Sequence, residues 1–124
     1  MLPQNSVAEV SGENCVADTT DRISLVLIHG LNGDYLKTWE HETTNICWPK
    51  DLLPSVLPYV RVLSFGYDAD VYGNTSVTGI RGNAQALLAR LRDRRETRDH
   101  GRPIVFVAHS LGGIVLKQVR LDPM

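Results

Sequence analysis

The chain predicts an α/β fold, a short parallel sheet flanked by helices in three layers. Three observations carry that prediction. Short apolar runs recur at Ile23–Ile28, Val60–Phe65 and Pro103–Ala108, each of strand length. The first two stop at turn-forming residues, His29-Gly30 and Gly66, where a strand gives way to a loop. The third passes through His109-Ser110 into a second apolar stretch long enough for a helix. Strands alternating with helices pair in parallel through right-handed crossovers.

Along the chain, Met1 to about Asp21 is polar and aperiodic, a flexible tail whose composition supplies no packed core. The domain is expected to occupy residues 22–124. Ile23-Ser-Leu-Val-Leu-Ile28 is a short apolar run broken only by Ser24, which fits a strand covered on both faces. Polar and turn residues dominate from Leu31 to about Thr44. Trp48-Pro-Lys-Asp-Leu-Leu53 then reads as a short helix with proline in its first turn and Pro54 near its end. Val60–Phe65 is the second strand. After a turn-rich stretch, Ile80, Ala84, Leu87, Leu88 and Leu91 recur at helical spacing, with Arg90, Arg92, Arg94 and Arg95 among the intervening positions. Asp93 and Glu96 interleave those arginines, so the stretch reads as a solvated helix face rather than a patch for phospholipid head groups. Asp99 to Arg102 breaks this helix. Pro103–Ala108 is the third strand, and Leu111 to about Arg120 is a second long helix.

The 124 residues suit one domain or part of one. Hydrophobic residues make up 43% and charged residues 22%, which places the chain with ordinary globular proteins. A net charge of −1 gives no electrostatic reason to expect nucleic acid. Cys15 and Cys47 are far apart, without metal-ligand spacing, and read as reduced thiols; neither a metal nor a cofactor is expected. The first residues lack the charged start and apolar core of a secretory signal, and no run reaches the ~18 apolar residues of a membrane span. An intracellular, cytoplasmic protein is the expectation, with no transmembrane segment.

Chemistry concentrates at Ser110. A lone serine between a buried strand and a helix has the context of a nucleophile elbow, the sharp turn that exposes a hydroxyl at the carboxyl edge of a sheet. Such a turn needs small neighbours. Gly112 and Gly113 provide them downstream, and Ala108 stands where the Gly-x-Ser-x-Gly pattern has its first glycine. A serine that merely caps the following helix would fit the same local sequence. Ligand-binding groups of a parallel sheet gather at the carboxyl ends of its strands, which places His29-Gly30, Gly66-Tyr67-Asp68 and His109-Ser110 together. A tetrahedral intermediate needs N–H donors from the residue after the nucleophile, Leu111, and from the loop after an earlier strand, where Gly30 allows close approach and Leu31 supplies the N–H. Gly33 to Thr38 has a faint likeness to a phosphate-binding loop, but positions 31 and 36 are leucines where that loop needs glycine. Trp39 could line an acyl pocket with Trp48, or pack in the core as aromatics more often do. Asp68 is open to a site role, although turn chemistry accounts for it and Asp70.

Taken together, Leu27-Ile-His-Gly-Leu-Asn-Gly33 with Lys37-Thr38-Trp39, Trp48-Pro49, Leu52-Leu53, Val62-Leu-Ser-Phe-Gly-Tyr67 and Phe106-Val-Ala-His-Ser-Leu-Gly-Gly113 resemble one family. They are similar to the serine esterase or lipase-like α/β-hydrolases related to the serine active site containing proteins, of fungal type, from about Ile23 to Gln118. The resemblance implies a truncated α/β-hydrolase fold, with strand order second, first, third. It also implies hydrolysis of carboxylic esters or lipid acyl bonds without a cofactor, and, for some relatives, association with mitochondrion or endoplasmic reticulum. Peripheral association with a membrane is compatible with it. Residue by residue, Ser110 corresponds to the nucleophile and the backbone of Gly30, Leu31 and Leu111 to the oxyanion hole.

One part of that pattern has no counterpart. The acid and the histidine of such enzymes follow the serine in the chain, and only Asp122 lies beyond the last helix, where a surface cap explains it. His100 precedes the third strand, at the wrong edge of the sheet. His109 is adjacent to Ser110 and projects elsewhere. A self-contained triad of Ser110 with His29 or His41 and Asp68 has no geometric support in the sequence. The expectation is a hydrolase domain fragment, inactive alone, whose third strand is covered by the missing half or by a protein partner. The alternative is a short non-catalytic module that acts by binding protein.

Overall fold

A central strand explains the most apolar part of the sequence. In the computed structural model, which describes residues 5–10, 23–69, 77–95 and 103–121, β2 (Ile23–Ile28) lies between β3 (Val60–Gly66) and β4 (Ile104–Ala108) and pairs with both in parallel. Leu27 thus faces Ser64 on one side and Val107 on the other. β2 has neighbours on both edges and cover on both faces, so polar residues have little place in it. Val26, Leu27 and Ile28 are completely buried.

The two faces carry separate clusters. On one, Val26, Ile28, Leu63 and Phe65 pack under Ala84, Leu87 and Leu91 of α2 (Val77–Arg95) and Leu111 and Val115 of α3 (Leu111–Leu121). On the other, Leu25, Leu27 and Val62 are covered by Trp39, Cys47, Leu36 and Leu53, from the long connection after β2. Helices, sheet and covering connection form the three expected layers. Cys47 is a free, buried thiol.

An additional strand, β1 (Ser6–Glu9), pairs antiparallel with β3 and gives a four-stranded sheet of order β1-β3-β2-β4. The expected second-first-third order is present as β3-β2-β4, but the sheet is mixed rather than purely parallel. The amino-terminal segment expected to be a flexible tail therefore contributes a strand; its other residues up to position 22, apart from 5 and 10, lie outside the described ones. Val7 reaches one core cluster and Val10 the other. Polar bonds tie this edge down: buried Arg61 donates from Nε to Glu9 Oε1 at 3.0 Å and from Nη1 to the Arg94 carbonyl at 3.4 Å. Arg94 in turn donates to the Val7 carbonyl at 2.8 Å. Arg94 is therefore more than part of a solvated face, whereas Arg90 forms an exposed pair with Asp93.

The short helix expected at 48–53 is a wide π-type turn, Trp48–Leu52, that continues into the single turn of α1 (Leu53–Val56). Pro49 and Pro54 each occupy the start of their turn, where a missing N–H matters least. At the far side of the sheet, β4 pairs only with β2 among the described residues, and its Val105 is 49% exposed. No helix among the described residues is long and apolar enough to cross a membrane.

Candidate functional site

Three strand ends converge at the carboxyl edge of the sheet. β4 stops at Ala108, α3 begins at Leu111, and the two residues between them must reverse the chain. Ser110 does so with φ of 54°, in the left-handed region that a side-chain-bearing residue rarely adopts. This strain is what an elbow demands, and it leaves the Ser110 side chain exposed. Ladder and turn bonds hold the corner: His109 N–H donates to the Ile28 carbonyl at 2.9 Å, and Gly112 N–H to the His109 carbonyl at 2.9 Å.

Close approach explains two glycines. A Cβ on Gly30 would lie 2.7 Å from both the His109 carbonyl oxygen and Ser110 Cβ, so the loop after β2 is packed directly against the elbow. A Cβ on Gly112 would run into the carbonyls of Ile28 and His29, because α3 starts almost in contact with β2. Gly113 does not share this role: a Cβ there meets nothing within 4 Å, since adjacent helical residues face different directions. Ala108, the half-buried end of β4, pairs with Ile28.

The loop after β2 is organised from within. Gly33 N–H donates to the Gly30 carbonyl at 2.9 Å, and Asn32 N–H reaches across to the Ala69 carbonyl at 2.9 Å. Asp34 Oδ2 accepts from the N–H groups of Leu36 and Lys37, while its own N–H donates to Thr38 Oγ1. Burial resists ionisation of Asp34, yet those two donors, with His29 and Lys37 nearby, hold its carboxyl below the usual range. Among the described residues the N–H groups of Leu31 and Leu111 have no acceptor. Leu31 is 43% exposed, while the Leu111 side chain is buried in the core.

His29 is fully occupied. Its ring is 1% exposed, Nδ1 bonds the Gly30 carbonyl at 3.0 Å, and Nε2 faces the Tyr67 N–H at 3.4 Å. A carbonyl only accepts, so Nδ1 carries the proton and Nε2 is the acceptor. Burial pushes the His29 pKa below its ordinary value, against the opposing effects of Gly30, Asp34 and Tyr67. Below pH 6.5 the unfolded chain therefore binds a proton that the folded chain refuses. Stability should be full above pH 6.5 and fall as pH drops from there toward the folded value. Urea unfolding between pH 7.5 and 5 should show this slope, and His29→Gln should remove its histidine component.

The other candidates lie elsewhere. Trp39 is buried in the core, edge-on to Trp48 with ring centres 6.3 Å apart. Both line a surface concavity of about 400 Å³ with Ile46 and Leu52, and none of Ser110, Leu31 and Leu111 borders it. Asp68 is exposed just after β3. His41 holds the Thr43 and Thr44 N–H groups through Nδ1 in its own turn. No side chain among the described residues hydrogen-bonds Ser110 Oγ. Asp70, His100 and Asp122 are outside the described residues. No group of metal-ligating side chains occurs among the described ones.

Strain at Ser110 makes a further expectation concrete. Ser110→Gly removes a left-handed penalty of about 1–2 kcal/mol and adds a smaller entropic cost in the unfolded chain. A net stabilisation of about 0.5–1 kcal/mol is expected in chemical denaturation.

Sequence comparison places this geometry beside known proteins. No family model matches the chain, and no solved structure gives a significant match. Protein SERAC1 of Danio rerio is 28% identical over 127 positions, which cover 87% of this chain and 19% of the relative. The Bos taurus protein of that name is 28% identical over 121 positions, and the Homo sapiens one 26% over 118, each covering 82% of this chain and 18% of the relative. The chain thus spans about a fifth of the length of these curated relatives and is similar to serine active site-containing protein 1 of vertebrates.

Proposed function

We propose that the chain carries the nucleophile and oxyanion half of a serine acyl-hydrolase site, with the histidine and acid supplied from outside the described residues. The observation that carries this reading is the left-handed Ser110, turned out between β4 and α3 against Gly30. Similarity to serine active site-containing relatives supports it. Ser110 Oγ attacks the carbonyl carbon of a carboxylic ester or lipid acyl group, and its proton passes to the histidine base. The resulting oxyanion is met by the N–H groups of Leu31 and Leu111, aided by the Gly30 backbone. Alcohol departs, and water then releases the acid from the acyl-enzyme.

The substrate class and the fungal type of the family belong to the same proposal and rest on the resemblance. So do residence in cytoplasm, mitochondrion or endoplasmic reticulum, peripheral membrane association, and cover for β4 from further chain or a protein partner. A second reading, a non-catalytic module that binds protein, draws on the open edge of β4 and on the lack of a base at Ser110 among the described residues. The 124-residue chain should show negligible turnover of short-chain p-nitrophenyl esters. A Ser110-dependent rate near that of intact esterases would contradict the half-site reading. Transcript sequence separates the two: a frame open past Met124 that encodes an Asp and a His after strand-like runs supports the hydrolase, and a stop codon the binding module.

A further inference from the structure

Tyr67 follows β3 by one residue and is 3% exposed, although its sequence context is that of a turn. Its ring stacks on Phe65 and on His29, with centres 5.1 Å and 4.3 Å away and planes 14° apart in both cases. The hydroxyl donates to the His29 carbonyl at 2.7 Å. Burial pushes the phenol up to about 12, so it remains a neutral donor. The Tyr67 N–H faces His29 Nε2, which leaves the Nδ1 proton for the Gly30 carbonyl.

These bonds act on two successive peptide planes. No cis peptide occurs among the described residues, so in each plane C=O and N–H point in opposite directions. Whatever holds the His29 carbonyl therefore directs the Gly30 N–H, and whatever holds the Gly30 carbonyl directs the Leu31 N–H. The first carbonyl is held by the Tyr67 hydroxyl. The second is held by the His29 ring, which Tyr67 stacks against and pairs with, and by Gly33 N–H.

We propose that Tyr67 is a positioning residue for the anion-binding backbone beside Ser110, holding His29 by its ring and its carbonyl so that the Gly30 and Leu31 N–H groups keep one orientation. This rests on the half-site reading above. Tyr67 touches no reacting atom; it confines donors that a flexible loop would present in many orientations, and such preorganisation is what gives an oxyanion site its value.

Tyr67→Phe deletes only the hydroxyl and keeps the stack. The probe is an alkyl fluorophosphonate: Ser110 Oγ attacks phosphorus, the O–P bond forms as P–F breaks, fluoride leaves, and the hydroxyl proton goes to solvent. In the 124-residue chain, Tyr67→Phe should slow Ser110 phosphonylation about tenfold while lowering Tm by only a few degrees. An unchanged rate with a lowered Tm means that the hydroxyl is merely structural and overturns the proposal. If the unsubstituted chain takes no label at Ser110, the acyl-transfer reading fails instead. Amide exchange then decides the positioning claim: tenfold faster exchange at Gly30 and Leu31 in the variant supports it, and unchanged exchange overturns it.

Discussion

Gly30→Ala is expected to slow Ser110 phosphonylation by about a hundredfold or more while the chain stays folded. The added Cβ would sit 2.7 Å from the His109 carbonyl oxygen and from Ser110 Cβ. Neither neighbour is the free end of a flexible side chain: His109 is held through its N–H on the Ile28 carbonyl, and Ser110 Cβ is fixed to a corner already at φ of 54°. Relief must come from the loop after β2, which carries Leu31 away from the elbow. Loss of one such donor costs on the order of 10²–10³ in rate. Mass-spectrometric time courses of the adduct measure this directly, and a rate within twofold of the unsubstituted chain would show that the loop contributes nothing.

Gly112→Ala should have the largest effect on stability, about 2–3 kcal/mol, which for a domain of this size lowers Tm by roughly 8–12 °C. Its Cβ would lie 2.6 Å from the His29 carbonyl oxygen and closer still to that of Ile28, both backbone atoms at the carboxyl end of the central strand. β2 is fixed by β3 and β4 on its two edges, so α3 must move outward and uncover Leu111 and Val115. Gly113→Ala is the internal control. Its Cβ meets nothing, and alanine favours a helix over glycine by about 1 kcal/mol. Thermal unfolding should therefore separate two adjacent glycines by sign.

Much of this architecture was legible because burial on both faces forces a continuous apolar run. β2 stands out for that reason. β3 and β4 stand out by their apolar residues alone, since β3 holds Arg61 and Ser64 and β4 leaves Val105 exposed, and the elbow stands out because Ser110 joins an apolar run to a helix. β1 was hidden. Its pairing joins Val7 to Phe65 across a long stretch of chain, and a four-residue edge strand carries too few alternations to register as a period. Arg61 shows the same limit from the other side, since a buried arginine in a strand makes sense only once Glu9 and the Arg94 carbonyl are beside it. Gly112 and Gly113 both supply small residues beside the turn, and the helix phase shows that Gly112, the one in the Gly-x-Ser-x-Gly spacing, is the one that meets the sheet. Tyr67 was missed because its role lies in a stack on His29, from another strand end; the alternation of Phe65 and Tyr67 past a buried strand was the available clue.

Phosphonylation of the 124-residue chain tests most directly whether Ser110 is an activated seat that has no base beside it among the described residues. Peptide mapping after exposure to an alkyl fluorophosphonate should find one adduct, on Ser110, formed on the order of 10³-fold faster than on an unstructured serine peptide and lost in Ser110→Ala. Its rate should rise with hydroxide through pH 9 without a histidine inflection near 6.5–7, because no side chain among the described residues hydrogen-bonds Ser110 Oγ. Adducts scattered over several serines at the rate of the free peptide would contradict the account.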